Sequence, residues 1–239
     1  MNLQLAKTWA EQDIPITIAT PSCAGAPTKS IVLPNPIDAI QLLESDLPKP
    51  PEIVHGILHQ GSKMVIGGGS KSFKTFTLLD LGVSVATGMP WWAFQTTQGR
   101  VLYINFEIQD AFFKSRLTDV CVAKECQLKD GQLCYWGLRG KAADLSVLMQ
   151  QIIATLKDGG YSVIIIDPIY KGLGPRDENR AGDIASLLNE VEALAIETGA
   201  AVVFGHHFSK GNQSAKDSID RIGGSGVFAR EPRYDPDDD

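Results

Sequence analysis

The sequence predicts an α/β protein with a mostly parallel sheet flanked by helices. Short runs of valine and isoleucine, such as "SVIIID" at 162–167, lack the polar alternation of a strand with one solvated face. Sheets that are covered on both faces require such runs, and parallel sheets are covered in this way. The stretches between the runs show helical spacing of apolar residues, which indicates right-handed strand–helix–strand units.

The N-terminal part of the chain is rich in proline. Eight of the 13 prolines fall within the first 51 residues. Proline removes a backbone donor and disfavours a helical conformation at the residue before it. We therefore predict an extended N-terminal arm over residues 1–50, with one short helix near Pro36–Glu44. Two alternatives stay open: the arm lies over the core or a neighbouring subunit, or it is a flexible tail.

Residues 51–239 form the second predicted region, in which strands and helices alternate. The first strand precedes a glycine-rich loop, and the last strand ends in two histidines. The chain is long enough for one large domain of this kind with a small appendage. In chain order we predict a strand at 63–68, a helix at 74–88, a strand at 100–107, a helix at 110–126, a strand at 132–138, a helix at 143–160, a strand at 162–168, a helix at 181–199 and a strand at 200–207.

Composition limits the classes of function. The net charge is −6, and the last nine residues, "EPRYDPDDD", hold five acids and one arginine, which is −4 of that charge. Such a chain lacks the global positive field of proteins that coat nucleic acid by charge alone, although a local basic patch remains open. The four cysteines show no metal-site spacing and indicate reduced thiols. Because no long apolar run and no signal peptide are visible, we expect a cytoplasmic protein without a membrane partner.

The stretch "GGGSKSFKT" at 67–75 carries the strongest chemical signal. It follows a predicted strand, opens a predicted helix and matches the phosphate-loop pattern G-x-x-x-x-G-K-[ST], except that Phe73 stands at the second glycine. Backbone N–H groups in such a loop converge on an anion. The alternative is a chance loop rich in glycine, serine and lysine. The predicted binding residues are Gly68, Gly69, Ser70, Lys71, Ser72, Phe73, Lys74 and Thr75.

Three residues of this loop have individual roles in the prediction. We expect Lys74 to reach the terminal phosphates of a nucleotide and the Thr75 hydroxyl to ligate Mg²⁺. Phe73 still offers its backbone N–H. We expect its side chain to point away from the nucleotide and its backbone angles to suit a residue with a Cβ.

Two carboxylates at the ends of predicted strands would complete such a site. Asp167 ends "VIIID" and is predicted to hold the Mg²⁺ shell. Glu107 ends "VLYINFE" and is predicted to orient, or to take a proton from, the water that attacks the γ-phosphate. The alternative for Glu107 is a helix cap, because a helix is predicted to begin near Asp110.

The strand "AAVVFGHH" is predicted to lie beside the Asp167 strand and to end in a γ-phosphate sensor. His206 and His207 are adjacent, so their side chains point to opposite faces of the strand. We favour His206 as the sensor and His207 as a structural residue. The polar segment 209–221 that follows, with Lys210 and Lys216, is either a contact for single-stranded DNA or a solvated loop.

The motifs "GGSKSFKT", "GRVLYINFE" followed by Arg116, "VIIIDP", "HHFSKG" and "RIGGSGVFAR" together carry a resemblance to a known family. In their order and spacing, residues 53–230 resemble the RecA-like P-loop ATPases, and among them the RepA-type hexameric replicative helicases of broad-host-range plasmids. The resemblance implies a RecA-like P-loop NTPase core that binds ATP and Mg²⁺ and hydrolyses ATP between the subunits of a ring. It also implies an arginine finger, for which Arg230 is the first choice and Arg221 and Arg233 are rivals.

The function implied by the resemblance is a motor that acts on single-stranded DNA during replication of a mobile element. The partners would be further copies of the chain in a homo-oligomer, by analogy a hexameric ring. One alternative is an ATP-dependent regulatory switch without translocation, and another is a degenerate loop that binds nucleotide without turnover. The chain departs from the family at Phe73 and Lys71 and shows no separate nucleic-acid-binding module. The residues predicted to support catalysis are Lys74, Glu107, His206 and Arg230.

Overall fold

The computed structural model describes residues 34–69, 72–141, 145–169 and 181–207. The chain divides into two compact units, Met1–Leu47 and Pro48–Asp239. In the first unit, helix α1 spans Ala39–Glu44 and begins after Asp38, whose side chain accepts a hydrogen bond from the backbone N–H of Ile40. No residue of α1 is buried, and its apolar side chains, including Leu43, are exposed.

The second unit begins with two short antiparallel strands that the sequence pattern did not predict. Strand β1 spans Glu52–Val54, and strand β2 spans Leu58–His59. The turn between them contains Gly56 at a positive φ of 70°. Strands of three and two residues are too short to show a period, so only the glycine turn signals them.

Five parallel strands form the central sheet. Their order across the sheet is β3-β7-β6-β4-β5, and each neighbouring pair is hydrogen-bonded in parallel register. The predicted α/β fold with a mostly parallel sheet is confirmed, and β7 lies beside β6 as expected. The strands are β3 Lys63–Gly68, β4 Val101–Asn105, β5 Leu133–Gly137, β6 Val163–Asp167 and β7 Ala201–His207.

Helices cover both faces of this sheet. Helices α2, Lys74–Thr87, and α3, Asp110–Ala123, pack on the face that carries Tyr103, Ile165 and Val203. Helices α4, Leu145–Leu156, and α5, Ala181–Thr198, pack on the opposite face, which carries Ile104, Ile166 and Phe204. The continuous valine and isoleucine runs are therefore buried on both sides, as the pattern predicted.

The helix ends follow local sequence signals. Gly88 ends α2 in the left-handed conformation, which glycine adopts without steric cost. Helix α3 ends three residues earlier than predicted. There Glu125 adopts a φ of 52°, and the backbone N–H of Cys126 donates to Cys121 O. None of the described helices is long and apolar enough to cross a membrane.

Candidate functional site

The parallel sheet brings the ends of its strands to one edge, where the loop after β3 meets the N-terminus of α2. Gly68 ends β3, and Lys74 begins α2. A Cβ added to Gly68 would collide with Ser72 Oγ, so a larger residue at this position would require the serine side chain to move. The predicted binding residues Ser70 and Lys71 lie outside the described part of the chain.

The side chain of Lys74 lies inside the loop. Its Nζ donates hydrogen bonds to Gly68 O at 2.9 Å, to Gly69 O at 2.6 Å and to Ser72 Oγ at 3.2 Å. Burial lowers the pKa of Lys74, while the nearby carboxylates of Asp167 and Glu107 act in the opposite direction. The amine is thus held by two backbone carbonyls and one hydroxyl of the segment that precedes α2.

The backbone at Phe73 differs from the expectation. Phe73 occupies the N-cap position of α2 with φ 60° and ψ 18°, which is the left-handed region. A residue with a Cβ pays about 1–2 kcal/mol for that conformation. The chain therefore keeps the backbone shape of the missing glycine and not one that suits phenylalanine. The side chain is 73% exposed, and its ring lies 6.3 Å from the ring of Phe76.

Asp167 ends β6 next to the loop and is only 5% exposed. Its Oδ2 accepts a hydrogen bond of 2.7 Å from the Tyr103 hydroxyl, and the Thr75 hydroxyl also donates to this carboxylate. Burial raises the pKa of Asp167, and the two hydrogen bonds and Lys74 partly offset that rise. Burial also raises the pKa of Tyr103 well above its usual value, so its hydroxyl remains a donor.

The pair of Thr75 and Asp167 fits a magnesium ion. Mg²⁺ is usually held by one or two carboxylates together with water and substrate phosphates, rather than by a cage of protein ligands. Within the described residues no cluster of three or more histidine, cysteine or acidic side chains could hold a metal. A single carboxylate and a hydroxyl beside a phosphate loop agree with that mode of binding.

Gly205 of β7 makes room for this carboxylate. A Cβ at Gly205 would lie 3.0 Å from Asp167 Oδ1 and 3.1 Å from Leu78 Cδ1 of α2. The close approach of Asp167 to Gly205 was not predicted, because a glycine inside a strand does not indicate which side chain lies against it. It follows from the position of β7 between β3 and β6.

Glu107 lies just beyond the end of β4, in the turn before α3. The side chain is exposed, and the N-cap position of α3 is Gln109, two residues farther along the chain. The cap position that was the alternative for Glu107 is therefore occupied by another residue. Glu107 lines the same pocket as the loop and Asp167.

The pocket that joins these groups has a volume of about 650 Å³. It brings together six predicted site residues, namely Ser72, Phe73, Lys74, Thr75, Glu107 and Asp167. It is also lined by aromatic and cationic side chains for which no role in the site was predicted. These are Phe76, Phe112, Arg116 and Arg139. Of these, only Arg116 belongs to the motifs that carry the family resemblance, and the other three gave no distinct signal in the sequence. Arg116 lies 5.5 Å from the centre of the Phe76 ring, which is a cation–π contact.

His206 does not lie in this pocket. Its side chain is 2% exposed and, by strand alternation, points to the same face as Val202 and Phe204, which α4 and α5 cover. Asp167 and Gly205 meet on the opposite face, against α2. The predicted role of His206 as a sensor therefore has no support from its position. Arg230 and the segment 209–221 lie outside the described residues.

Comparisons with known proteins bear on the family and the fold of the chain. A family model described as an AAA domain matches residues 28–213 of the chain. Among solved structures, the fold is similar to that of a KaiC-like protein from the hyperthermophilic archaeon Pyrococcus horikoshii OT3, with a TM-score of 0.50 and 12% sequence identity over 74% of this chain and 70% of that chain. At this identity the likeness concerns the fold alone. A comparison with curated proteins gave no match.

Proposed function

The chain belongs to the AAA domain family, and on this premise we propose that it is a motor that binds and hydrolyses ATP, forms a ring and acts on single-stranded DNA. Family and fold confirm the coarser expectation of a RecA-like P-loop ATPase. The narrower likeness to RepA-type helicases of plasmids is part of the proposal. The observation that carries it is one pocket containing Lys74, Thr75, Asp167 and Glu107.

Nucleotide binding would use the loop and the first turn of α2. The amine of Lys74 now donates to Gly68 O and Gly69 O, and phosphate oxygens would take the place of these carbonyls as its acceptors. The backbone N–H groups at the start of α2 would donate to the phosphates, since they have no partner within the helix. Phe73 contributes its N–H like the glycine it replaces.

Thr75 and Asp167 would hold Mg²⁺ beside the bound phosphates. When bound, the metal would neutralise charge that develops on the phosphate oxygens. Asp167 is kept at its place by the 2.7 Å hydrogen bond from Tyr103 and by the space above Gly205. Glu107, which is exposed to the same pocket, would orient the attacking water or accept its proton.

The proposed ring assembly, the proposed DNA binding and the proposed link to replication of a mobile element rest on the resemblance alone. Arg230 would act on the site of a neighbouring subunit, and Lys210 and Lys216 would contact DNA phosphates. Arg116 and Arg139 line the pocket from within the same chain and could supply the cation that a finger from a neighbouring subunit would otherwise supply. Hydrolysis would then not require a ring, and for this reason the regulatory switch without translocation is the second candidate.

ATP turnover with and without single-stranded DNA tests the proposal. A motor on DNA should hydrolyse ATP faster when the strand is present, and the Lys74→Ala protein should be inactive in both conditions. Turnover that does not respond to DNA would favour the regulatory switch. If the parent protein binds ATP with no turnover in either condition, then it is a nucleotide-binding protein and not a motor.

A further inference from the structure

Asn105 is the last residue of β4, and its side chain is fully buried at the sheet edge beside the pocket. Its Oδ1 accepts hydrogen bonds from the backbone N–H of Glu107 at 3.1 Å and of Ile108 at 2.9 Å. Its Nδ2 donates to Ile108 O at 2.6 Å and to Tyr135 Oη at 2.9 Å. A side-chain amide has two N–H donors and an oxygen with two lone pairs. All of this hydrogen-bonding capacity is used, and three of the four bonds go to the turn that carries Glu107.

The network continues from Asn105 to two other elements. The hydroxyl of Tyr135, on β5, donates to Asp110 Oδ1 at 2.7 Å, and Asp110 is the first residue of α3. The Tyr135 ring is fixed against Phe113, with the ring centres 4.2 Å apart. A Cβ at Gly137 would lie 2.9 Å from Tyr135 Oη and 3.1 Å from Asp110 Oδ1, so glycine leaves room for this bond.

The main chain on either side of this amide is also tied to the sheet. The backbone N–H of Leu138 donates to Asn105 O at 2.8 Å, and that of Phe106 donates to Asp167 O at 2.9 Å. Glu107 is the next residue after this ladder. The turn therefore leaves the sheet at a point that β5 and β6 hold from both sides, and the amide of Asn105 sets its direction from there.

We propose that Asn105 is a positioning residue for hydrolysis, which holds the turn so that Glu107 faces the attacking water. The proposal rests on the proposed function, in which Glu107 handles that water. The four hydrogen bonds of the amide go to the turn and to Tyr135, and none goes to the nucleotide anchors Lys74 and Thr75. Loss of the amide should therefore lower kcat and leave ATP affinity unchanged.

The test compares Asn105→Ala, Asn105→Asp and Tyr135→Phe with Glu107→Gln. A displacement of about 1 Å at a reacting group costs about 10²-fold in rate, so kcat of Asn105→Ala should fall by about that factor. Tyr135→Phe keeps the ring against Phe113 but removes the hydroxyl that accepts from Asn105 and donates to Asp110. Because the Asn105 amide then loses only one of its four hydrogen bonds, kcat should fall by about fivefold. The control is Tyr161→Phe, which removes a hydroxyl from the ring that stacks on Arg100, outside the pocket. It should hydrolyse ATP like the parent.

The pH dependence of kcat in Asn105→Asp adds a measurement that a purely structural role would not change. At neutral pH the new carboxylate places an acceptor against Ile108 O, where the amide of the parent donates at 2.6 Å. As the pH falls, the protonated carboxyl can donate to that carbonyl again. The ratio of the variant's kcat to that of the parent should therefore rise as the pH falls.

Three outcomes separate this proposal from the function on which it rests. If folded Asn105 variants and Tyr135→Phe hydrolyse ATP like Tyr161→Phe, while Glu107→Gln is inactive, Asn105 does not position Glu107 and the ATPase assignment stands. An equal loss of ATP affinity and kcat would make Asn105 a general support of the pocket and also overturn the proposal. If the parent shows no turnover, or if Glu107→Gln keeps full turnover, the proposed hydrolysis itself fails, and the role of Asn105 falls with it. Should the Asn105 variants not fold, as judged by thermal unfolding, Tyr135→Phe alone decides.

Discussion

The hydroxyl of Tyr103 donates a hydrogen bond of 2.7 Å to Oδ2 of Asp167, and both side chains are buried between the sheet and α2. Burial raises the pKa of Asp167 more than the hydrogen bonds from Tyr103 and Thr75 lower it. A carboxyl group with a raised pKa in the folded state stabilises the protein at low pH, and this stability is lost as the pH rises through the folded-state pKa. At neutral pH the charged Asp167 is therefore a cost to folding.

We predict that Asp167→Asn raises the free energy of unfolding at neutral pH by about 1 kcal/mol, as removal of an unfavourable functional charge commonly does. The gain should shrink as the pH falls through the pKa of Asp167, because the parent then carries a neutral carboxyl. Thermal unfolding without nucleotide across this pH range measures it. Asp119→Asn, at an exposed position of α3, is the control and should show no such gain. A lower melting temperature than the parent at neutral pH would contradict the prediction.

Lys74→Ala should abolish ATP binding, because it removes the cation that the loop holds through Gly68 O and Gly69 O. Hydrogen bonds to charged groups contribute about 1.5–3 kcal/mol each, so the dissociation constant should rise by at least about tenfold for each one lost. Titration with a fluorescent ATP analogue measures this. Lys71→Ala is the matched comparison within the same loop. If Lys71→Ala loses binding and Lys74→Ala keeps it, the two lysines have been assigned in the wrong order.

Phe73→Gly should stabilise the protein by about 1 kcal/mol, because φ 60° at Phe73 is costly for any residue with a Cβ. The side chain is 73% exposed, so little burial is lost. Urea unfolding gives the free energy. Phe73→Ala keeps the strained Cβ and serves as the control, which should show no gain. Equal stability of the two variants would mean that the left-handed conformation is not strained at this position.

Gly205→Ala should weaken nucleotide binding in the presence of Mg²⁺. The new Cβ would lie 3.0 Å from Asp167 Oδ1, so the carboxylate that is proposed to hold Mg²⁺ with Thr75 must shift by a few tenths of an ångström. Overpacking of this kind costs about 1–3 kcal/mol, which is about five- to 150-fold in affinity. Binding measured with the metal chelated is the internal control and should change much less. A loss of equal size without metal would point to damage in the loop rather than at the metal ligand.

Mixing two inactive variants tests the predicted arginine finger. Lys74→Ala and Arg230→Ala proteins should each be nearly inactive alone, since fingers in trans contribute about 10³–10⁵ in rate. Mixed together they should recover part of the ATP turnover, because some interfaces then combine an intact Lys74 with an intact Arg230. The comparison is Arg139→Ala, which removes a cation from the pocket of its own subunit. Mixing Arg139→Ala with Lys74→Ala should restore no ATP turnover. If subunits exchange and no activity returns with Arg230→Ala, that residue does not act in trans.

Much of the fold could be predicted because strands buried on both faces have a distinct composition. Each predicted strand from 63 to 207 is present, and the bounds differ by at most two residues. Asp167 and Glu107 could be placed at the same sheet edge because parallel strands share one carboxyl edge. The hairpin of β1 and β2 could not be predicted, because its strands are shorter than a period.

The site was harder to predict where it depends on register and backbone angles. His206 and Gly205 are neighbours in sequence, and only the pairing of β7 with β6 shows that Gly205, not His206, faces Asp167. The left-handed conformation of Phe73 is one that residues with a Cβ disfavour, so the residue type alone predicts a negative φ at this position. Asn105 ends a strand like many polar residues, and its role depends on Tyr135, 30 positions away.

The place of β7 in the sheet has a mechanical consequence. This strand separates β3, which leads into the loop of Lys74, from β6, which ends in Asp167. It is hydrogen-bonded along both neighbours, from Lys63↔Val202 to Gly68↔His207 on one side and from Val163↔Ala201 to Ile166↔Phe204 on the other. Sliding it would break two ladders at once. A displacement of β7 along its axis would therefore act on β3 and β6 together, and thus on both sides of the pocket.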